Sequence, residues 1–248
     1  MKTRLSLYVI ATLAVSLGAR AGAQGGMAMG SPEHAAHEAM TGKMTESPHM
    51  RTTPTRSRTA ADSVKAMAIA DTLRAALAKY ADPAAAERDG FKLFAPNMKS
   101  QRIYHYTKWS NALGEAFRFD PRKPTSILYK KDSTGHFRLT GAMYTMPKRA
   151  RAADLDRRIP LSVTQWHLHT NLCVPRKGEE PRYLETRDGK MKFGLAGSIT
   201  TKEACDAENG RFYPVLFGWM AHANVFEGTD LQTVWGHDDQ KEHAGHSP

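Results

Sequence analysis

The chain is poor in cysteine, in acidic residues and in long apolar runs, and each shortage narrows what it can be. Two cysteines among 248 residues, Cys173 and Cys205, permit a single pairing. In an oxidising compartment such a pair forms a disulfide, and closing that loop stabilises a fold by roughly 3–4 kcal/mol. The rival reading makes Cys173 a metal ligand, because it lies close to His169. Asp and Glu number 25 against 35 Lys and Arg, for a formal net charge of +10. Three of those charges, Lys2, Arg4 and Arg20, fall in the first 23 residues, which hold no acid, so the remainder carries +7. The positive charge is densest at Lys148-Arg149-Ala150-Arg151 and Arg157-Arg158, interleaved with Asp154 and Asp156. That pattern suits a solvated face or a site for an anionic glycan, lipid or cell-wall partner. No nucleic-acid recognition motif, phosphate loop, or serine or cysteine nucleophile motif is present, so neither nucleic acid nor those chemistries has a basis here.

One apolar run stands out. Lys2 and Arg4 precede Leu5 to Leu17, and Ala19-Arg20-Ala21 and Ala21-Gly22-Ala23 follow as small-residue cleavage sites. Residues 1–23 read as a secretory signal peptide with Gln24 as the mature start, which predicts a periplasmic or secreted protein. No later segment approaches ~18 apolar residues, so the mature chain is expected to be soluble and not membrane-embedded.

Composition divides the remainder into three. Residues 24–59 are rich in Gly, Ser, Thr and Pro and lack periodicity, the signature of a disordered linker. That linker carries Met27, Met29, His34, His37, Met40, Met44, His49 and Met50, a thioether and imidazole set that suits copper better than zinc, or else chance enrichment in low-complexity sequence. Residues 60–236 are expected to form one globular domain. Residues 237–248 are a polar tail with His237, His243 and His246.

Within the domain, the apolar spacing from Ala61 to Tyr80 predicts an amphipathic helix, and Asp82-Pro83 opens a second that stops at Asp89-Gly90. Arg102 to Thr107 leans toward a strand. Ser126–Lys130 and Phe137–Tyr144 read as a hairpin turned by Asp132-Ser133-Thr134-Gly135, and Ala150 to Arg157 as one or two helical turns. Pro175 to Phe193 reads as a surface loop. Thr200 is placed to cap a short helix that contains Cys205 and ends at Asn209-Gly210, and Leu231 to Trp235 suits a final edge strand.

The chemistry concentrates on two strands. In Trp166-His167-Leu168-His169-Thr170-Asn171, alternation sends His167, His169 and Asn171 to one face and Trp166 and Leu168 to the other. In Gly218 to Phe226 it groups Met220, His222 and Asn224 against Trp219 and Val225. Neutral imidazole is a strong ligand for transition metals, and His-x-His on a strand places two within reach of one ion. His167, His169 and His222 make a facial set with positions open for water or a small-molecule ligand. His105 completes four nitrogens or serves as a proton carrier, and Glu227 is the other acid/base candidate. Satisfied core histidines in a structural extracellular module are the alternative, and His136 in the hairpin turn reads as solvated.

Tyr104-His105-Tyr106, Phe119-Asp120-Pro121 with Pro124, Leu128-Tyr129, Leu139 to Tyr144 and the His-x-His strand together resemble a large family of secreted bacterial and fungal proteins without an assigned reaction. The resemblance spans roughly residues 70–226. Where many members carry an acid, this chain has Met143. Likeness to cupins is weak, since no glycine stands six residues before His167 and the later intervals differ. The expected fold is α+β, with N-terminal helices on a curved antiparallel sheet or small open β-barrel. The expected function is metal binding at a mononuclear histidine site, copper favoured over zinc, with a water- or oxygen-activating metalloenzyme as the alternative.

Overall fold

The structure, a computed structural model, describes residues 47–96 and 101–236. In chain order the elements are β1 (Met50–Thr52), α1 (Ala60–Leu77), α2 (Pro83–Arg88), β2 (Lys92–Leu93), β3 (Tyr104–Thr107), α3 (Trp109–Phe117), β4 (Ser126–Lys131) and β5 (Phe137–Met146). There follow α4 (Ala152–Asp156), β6 (His167–Val174), β7 (Thr186–Arg187), β8 (Lys190–Met191), α5 (Lys202–Ala207), β9 (Arg211–Ala223) and α6 (Leu231–Trp235). Single 3-10 turns occupy Ala78–Tyr80 and Glu180–Leu184.

Seven strands form one sheet in the order β1-β6-β9-β5-β4-β3-β2, and β7 pairs with β8 apart from it. Every ladder is antiparallel. The fold is α+β, and the sheet is open, with β1 and β2 as its edges. It is also curved. Phe94, just past β2, packs edge-to-face on Phe217 of β9 with ring centroids 5.6 Å apart. Four ladder steps separate those strands, roughly 19 Å in a flat sheet, so the β2 edge curls toward β9.

One face of the sheet is covered by α1 and α6. Thr59 caps α1 by accepting from the Asp62 N–H while Asp62 accepts from the Thr59 N–H, and Arg56 clamps the same carboxylate. Ala66, Ile69, Ala70, Leu73 and Leu77 then form the buried side of the helix. They join Tyr129, Tyr144, Trp166, Leu168 and Trp235 in the main core. The Trp235 indole N–H donates to the Ala66 carbonyl at 3.3 Å, and the Tyr129 hydroxyl to the Tyr80 carbonyl at 2.7 Å. The helix over residues 61–80, the Asp82-capped α2 and the β4–β5 hairpin stand where the sequence places them.

Several expectations are corrected. Residues 47–59 are not linker: Met50–Thr52 is an edge strand on β6, so the ordered domain begins before Ala60. Three residues of weak propensity form it because β6 offers an open edge and buried His49 anchors it. Leu231–Trp235 is a helix, since Asp230 caps the Thr233 N–H and supplies a helical start in place of an edge strand. Thr201, not Thr200, caps α5. Residues 109–117, for which no helix is predicted, form α3. The Pro175–Phe193 stretch is not wholly surface, because Met191 and Phe193 are buried, Phe193 beside the cysteines.

Among the described residues no helix is long and apolar enough to cross a membrane. Cys173 and Cys205 are joined as a disulfide, with Cα atoms 5.6 Å apart, which removes Cys173 from any ligand set. The bridge ties the end of β6 to α5.

Candidate functional site

The sheet face opposite α1 carries the histidines. Antiparallel partners share a face, and the registers set His169 across from Met50, His167 across from Met220, and His222 across from Met143. Each of these three histidines therefore has a methionine as its directly paired neighbour, with Cβ atoms typically about 4.5–5.5 Å apart in such pairs. His105 is paired with Leu128. Leu128, Met143 and Met220 form a small apolar cluster of their own, with Ile103 against it, separate from the main core.

A register shift builds this arrangement. Between the His169–Leu216 and His167–Met220 pairs, β9 contributes two residues more than β6. Phe217 takes up the irregularity at φ 62°, and Gly218 presses so close to β5 that a Cβ there would lie 2.0 Å from the Met146 carbonyl oxygen. An insertion of two preserves the side-chain alternation while sliding Met220 opposite His167 and bringing His222 diagonal to it.

The rings form a row. His169 and His167 have centroids 5.6 Å apart, His167 and His222 5.2 Å, and His222 and His105 5.8 Å. A flat sheet would hold the β3 and β9 backbones roughly 14 Å apart, so curvature is what admits His105. Burial lowers the His105 pKa to about 4, against a hydrogen bond with the Ile103 carbonyl that opposes it. Burial, then the nearby His105 and His49, lower His169 likewise to about 4. These two rings are neutral near pH 7, the form in which imidazole binds metals. The His169 Nδ1 is buried without a hydrogen-bond partner among the described residues.

The structure sorts the predicted site residues. His105, His167, His169 and His222 share one face. Asn171, in the left-handed region at φ 55°, donates to the Pro48 carbonyl and serves the β1 edge instead. Asn224 is buried past the end of β9, its N–H on the Val234 carbonyl. Of the leader residues, Met27, Met29, His34, His37, Met40 and Met44 lie outside the described residues, as do His237, His243 and His246. His49 is no floating donor: its Nε2 lies 2.6 Å from the Gly197 carbonyl oxygen and its Nδ1 3.3 Å from that of Thr170. It clamps β1 to the sheet. Met50 joins the site as the neighbour of His169.

Glu227 is engaged elsewhere. It accepts from Lys130 at 3.2 Å and Arg138 at 2.6 Å. Partial burial works to raise its pKa, but those two cations hold it below the ordinary range, so it is ionised and paired rather than poised to give a proton. The unusual carboxyl is Glu115, which the sequence does not single out. It receives the Thr125 N–H at 3.1 Å and hydroxyl at 2.7 Å, and the Thr145 N–H at 2.6 Å and hydroxyl at 3.1 Å. Burial nevertheless raises it to about 7. Thr145 pairs with Met220, so this acid closes one end of the histidine and methionine face.

Among the described residues no three His, Cys, Asp or Glu side chains are grouped to hold a metal ion. The facial triad expected from His167, His169 and His222 is thus a row. Its neighbours are thioethers. Compared with protein-family models, curated proteins and solved structures, the chain matches none.

Proposed function

We propose that the chain is an exported copper-binding protein that holds Cu(I) on the imidazoles and thioethers of its concave face, with His167 and His222 as the central nitrogen donors. The three cross-strand histidine–methionine pairs carry this reading. Thioether sulfur selects Cu(I) over zinc, and imidazole serves both. A soft ion satisfied by two imidazoles and a methionine does not need three His, Cys, Asp or Glu. His105 and His169, the outer rings of the row, are neutral near pH 7, so neither has to release a proton to take part in binding. The apolar surround of Leu128 and Ile103 limits water access. The apolar leader, the Met- and His-rich segment and the disulfide fit export to an oxidising compartment, where the segment over residues 24–46 would collect the ion and the folded face retain it.

The test uses residues 24–248 purified without an affinity tag, loaded anaerobically with Cu(I) or separately with Zn(II), desalted and analysed by mass spectrometry. The parent is expected to retain stoichiometric copper, and His167→Ala/His222→Ala to lose it while keeping its thermal transition. Removal of residues 24–46 and 237–248 should leave the retained copper unchanged. A parent with no stoichiometric copper, or a double variant that keeps it, overturns the reading.

A further inference from the structure

Helix α3 is amphipathic in the inverted sense. Its buried residue is Glu115, while Trp109, Leu113 and Phe117 are 63%, 66% and 82% exposed. Spacing of four places those three on one side of the helix. Helices of globular domains turn such a stripe inward, because removing apolar surface from water is the main favourable term in folding. Here the polar anchor holds the helix in this orientation instead. Glu115 is fixed by Thr125 and Thr145, Asn111 donates to the Pro124 carbonyl at 2.9 Å, and Arg158 donates to the Glu115 carbonyl.

The surroundings are cationic. Residues 108–123 and 147–158, which adjoin α3 in sequence or through the Arg158 contact, hold nine Lys and Arg against four Asp and Glu. The four acids are spent locally: Glu115 is buried, Asp120 binds Arg122, Asp154 binds Arg151 and Arg157, and Asp156 binds Arg56. Of the nine, Arg118, Lys123, Lys148 and Arg149 are exposed and are not matched to any of these acids.

We infer that α3 is an interfacial helix that seats the protein on an anionic membrane surface, Trp109, Leu113 and Phe117 entering the headgroup boundary and the basic rim facing anionic lipid. Aromatic and leucine side chains on one helix face with cations beside them are the composition of such helices. Charge decides against a second copy of the chain, because a two-fold contact through this face would bring two basic rims together. The peripheral seat fits a chain whose described residues include no membrane-crossing helix.

The experiment is co-sedimentation of residues 24–248, which lack the apolar run over 5–17, with vesicles of phosphatidylcholine mixed with phosphatidylglycerol and with vesicles of phosphatidylcholine alone. Binding is expected for the mixed vesicles, and about 0.5 M salt should release it. Leu113→Ser/Phe117→Ser is expected to weaken partitioning at least about tenfold. Arg118→Gln/Lys123→Gln should weaken it by roughly fivefold or more. A blue shift of tryptophan emission on binding should vanish in Trp109→Phe. The substituted side chains are exposed, so thermal transitions should match the parent and report folding independently. No binding to either vesicle, binding indifferent to the helix substitutions, or a dimer that Leu113→Ser/Phe117→Ser dissociates would each overturn the inference.

Discussion

His222 stands directly across the β5–β9 ladder from Met143, on the same face as the His167–Met220 pair one step away. The pairing is the most economical probe of the proposed copper site. Met143→Leu conserves volume and apolarity, and swaps of that kind usually cost less than about 1.5 kcal/mol. It removes only the sulfur. Cu(I) affinity, measured by competition with a chromophoric chelator, should fall about tenfold while Zn(II) affinity stays level. Equal losses for both ions would remove the thioether from the site.

Two neutral imidazoles of the row, His105 and His169, make the fold sensitive to acid. His105 and His169 sit at about 4 in the folded protein, against about 6.5 when unfolded. The unfolded chain thus takes up protons first as pH falls, and stability drops between about pH 6.5 and 4 by up to roughly 3 kcal/mol per group. Urea titrations across that window should show the loss, and His105→Leu should make it shallower. An unchanged slope in that variant would mean that His105 is already solvated.

Glu115 pulls the other way. Its folded value of about 7 lies above the unfolded one of about 4.5, so the folded state binds the extra proton and stability falls as pH rises from about 4.5 through 7. Two histidines outweigh one carboxyl, so the parent should show a blunted net acid loss. Glu115→Gln should uncover the full histidine slope and remove roughly 2–3 kcal/mol of alkaline destabilisation. A variant that parallels the parent from pH 5 to 8 would contradict the assignment.

The disulfide is packed from beneath by Gly210, where a Cβ would lie 2.5 Å from the Cys173 sulfur and 2.8 Å from that of Cys205. Cys173→Ala/Cys205→Ala should cost about 3–4 kcal/mol, the loop-closure value for a bridge spanning 32 residues. Gly210→Ala should destabilise the oxidised parent by more than about 2 kcal/mol, and by much less in the Cys173→Ala/Cys205→Ala background. Additive losses in this double-mutant cycle would show that the contact with the sulfurs is not what excludes a side chain.

Local signals were readable in the sequence, and contacts between distant segments were not. The Asp82-Pro83 start, the Asp132 to Gly135 turn and the alternation that groups His167 with His169 each depend on a few adjacent residues. The disulfide followed from a count of two. By contrast, the histidine–methionine pairing depends on strand order and on a two-residue register slip at Phe217, neither of which leaves a periodic trace. α3 has a helical trace in Trp109, Leu113 and Phe117, spaced by four, but the stripe alone does not say that it faces outward, since that is set by the enclosure of Glu115. β1 escaped because Met50-Arg51-Thr52 has no strand signature of its own and becomes a strand only against β6. Glu115 looked like any acid on a helix until Thr125 and Thr145 enclosed it.

β1 also decides where the domain can be cut. It shields the outer backbone of β6 over His167 to His169, and His49 fastens it to the loop around Gly197. A fragment begun at Ala60, where composition alone draws the boundary, would bare a row of unpaired amides and carbonyls on the strand that carries the His-x-His pair. Exposed edges of that kind recruit other strands. The three residues of β1 are thus a guard against self-association, and a fragment meant for solution work should begin no later than Ser47.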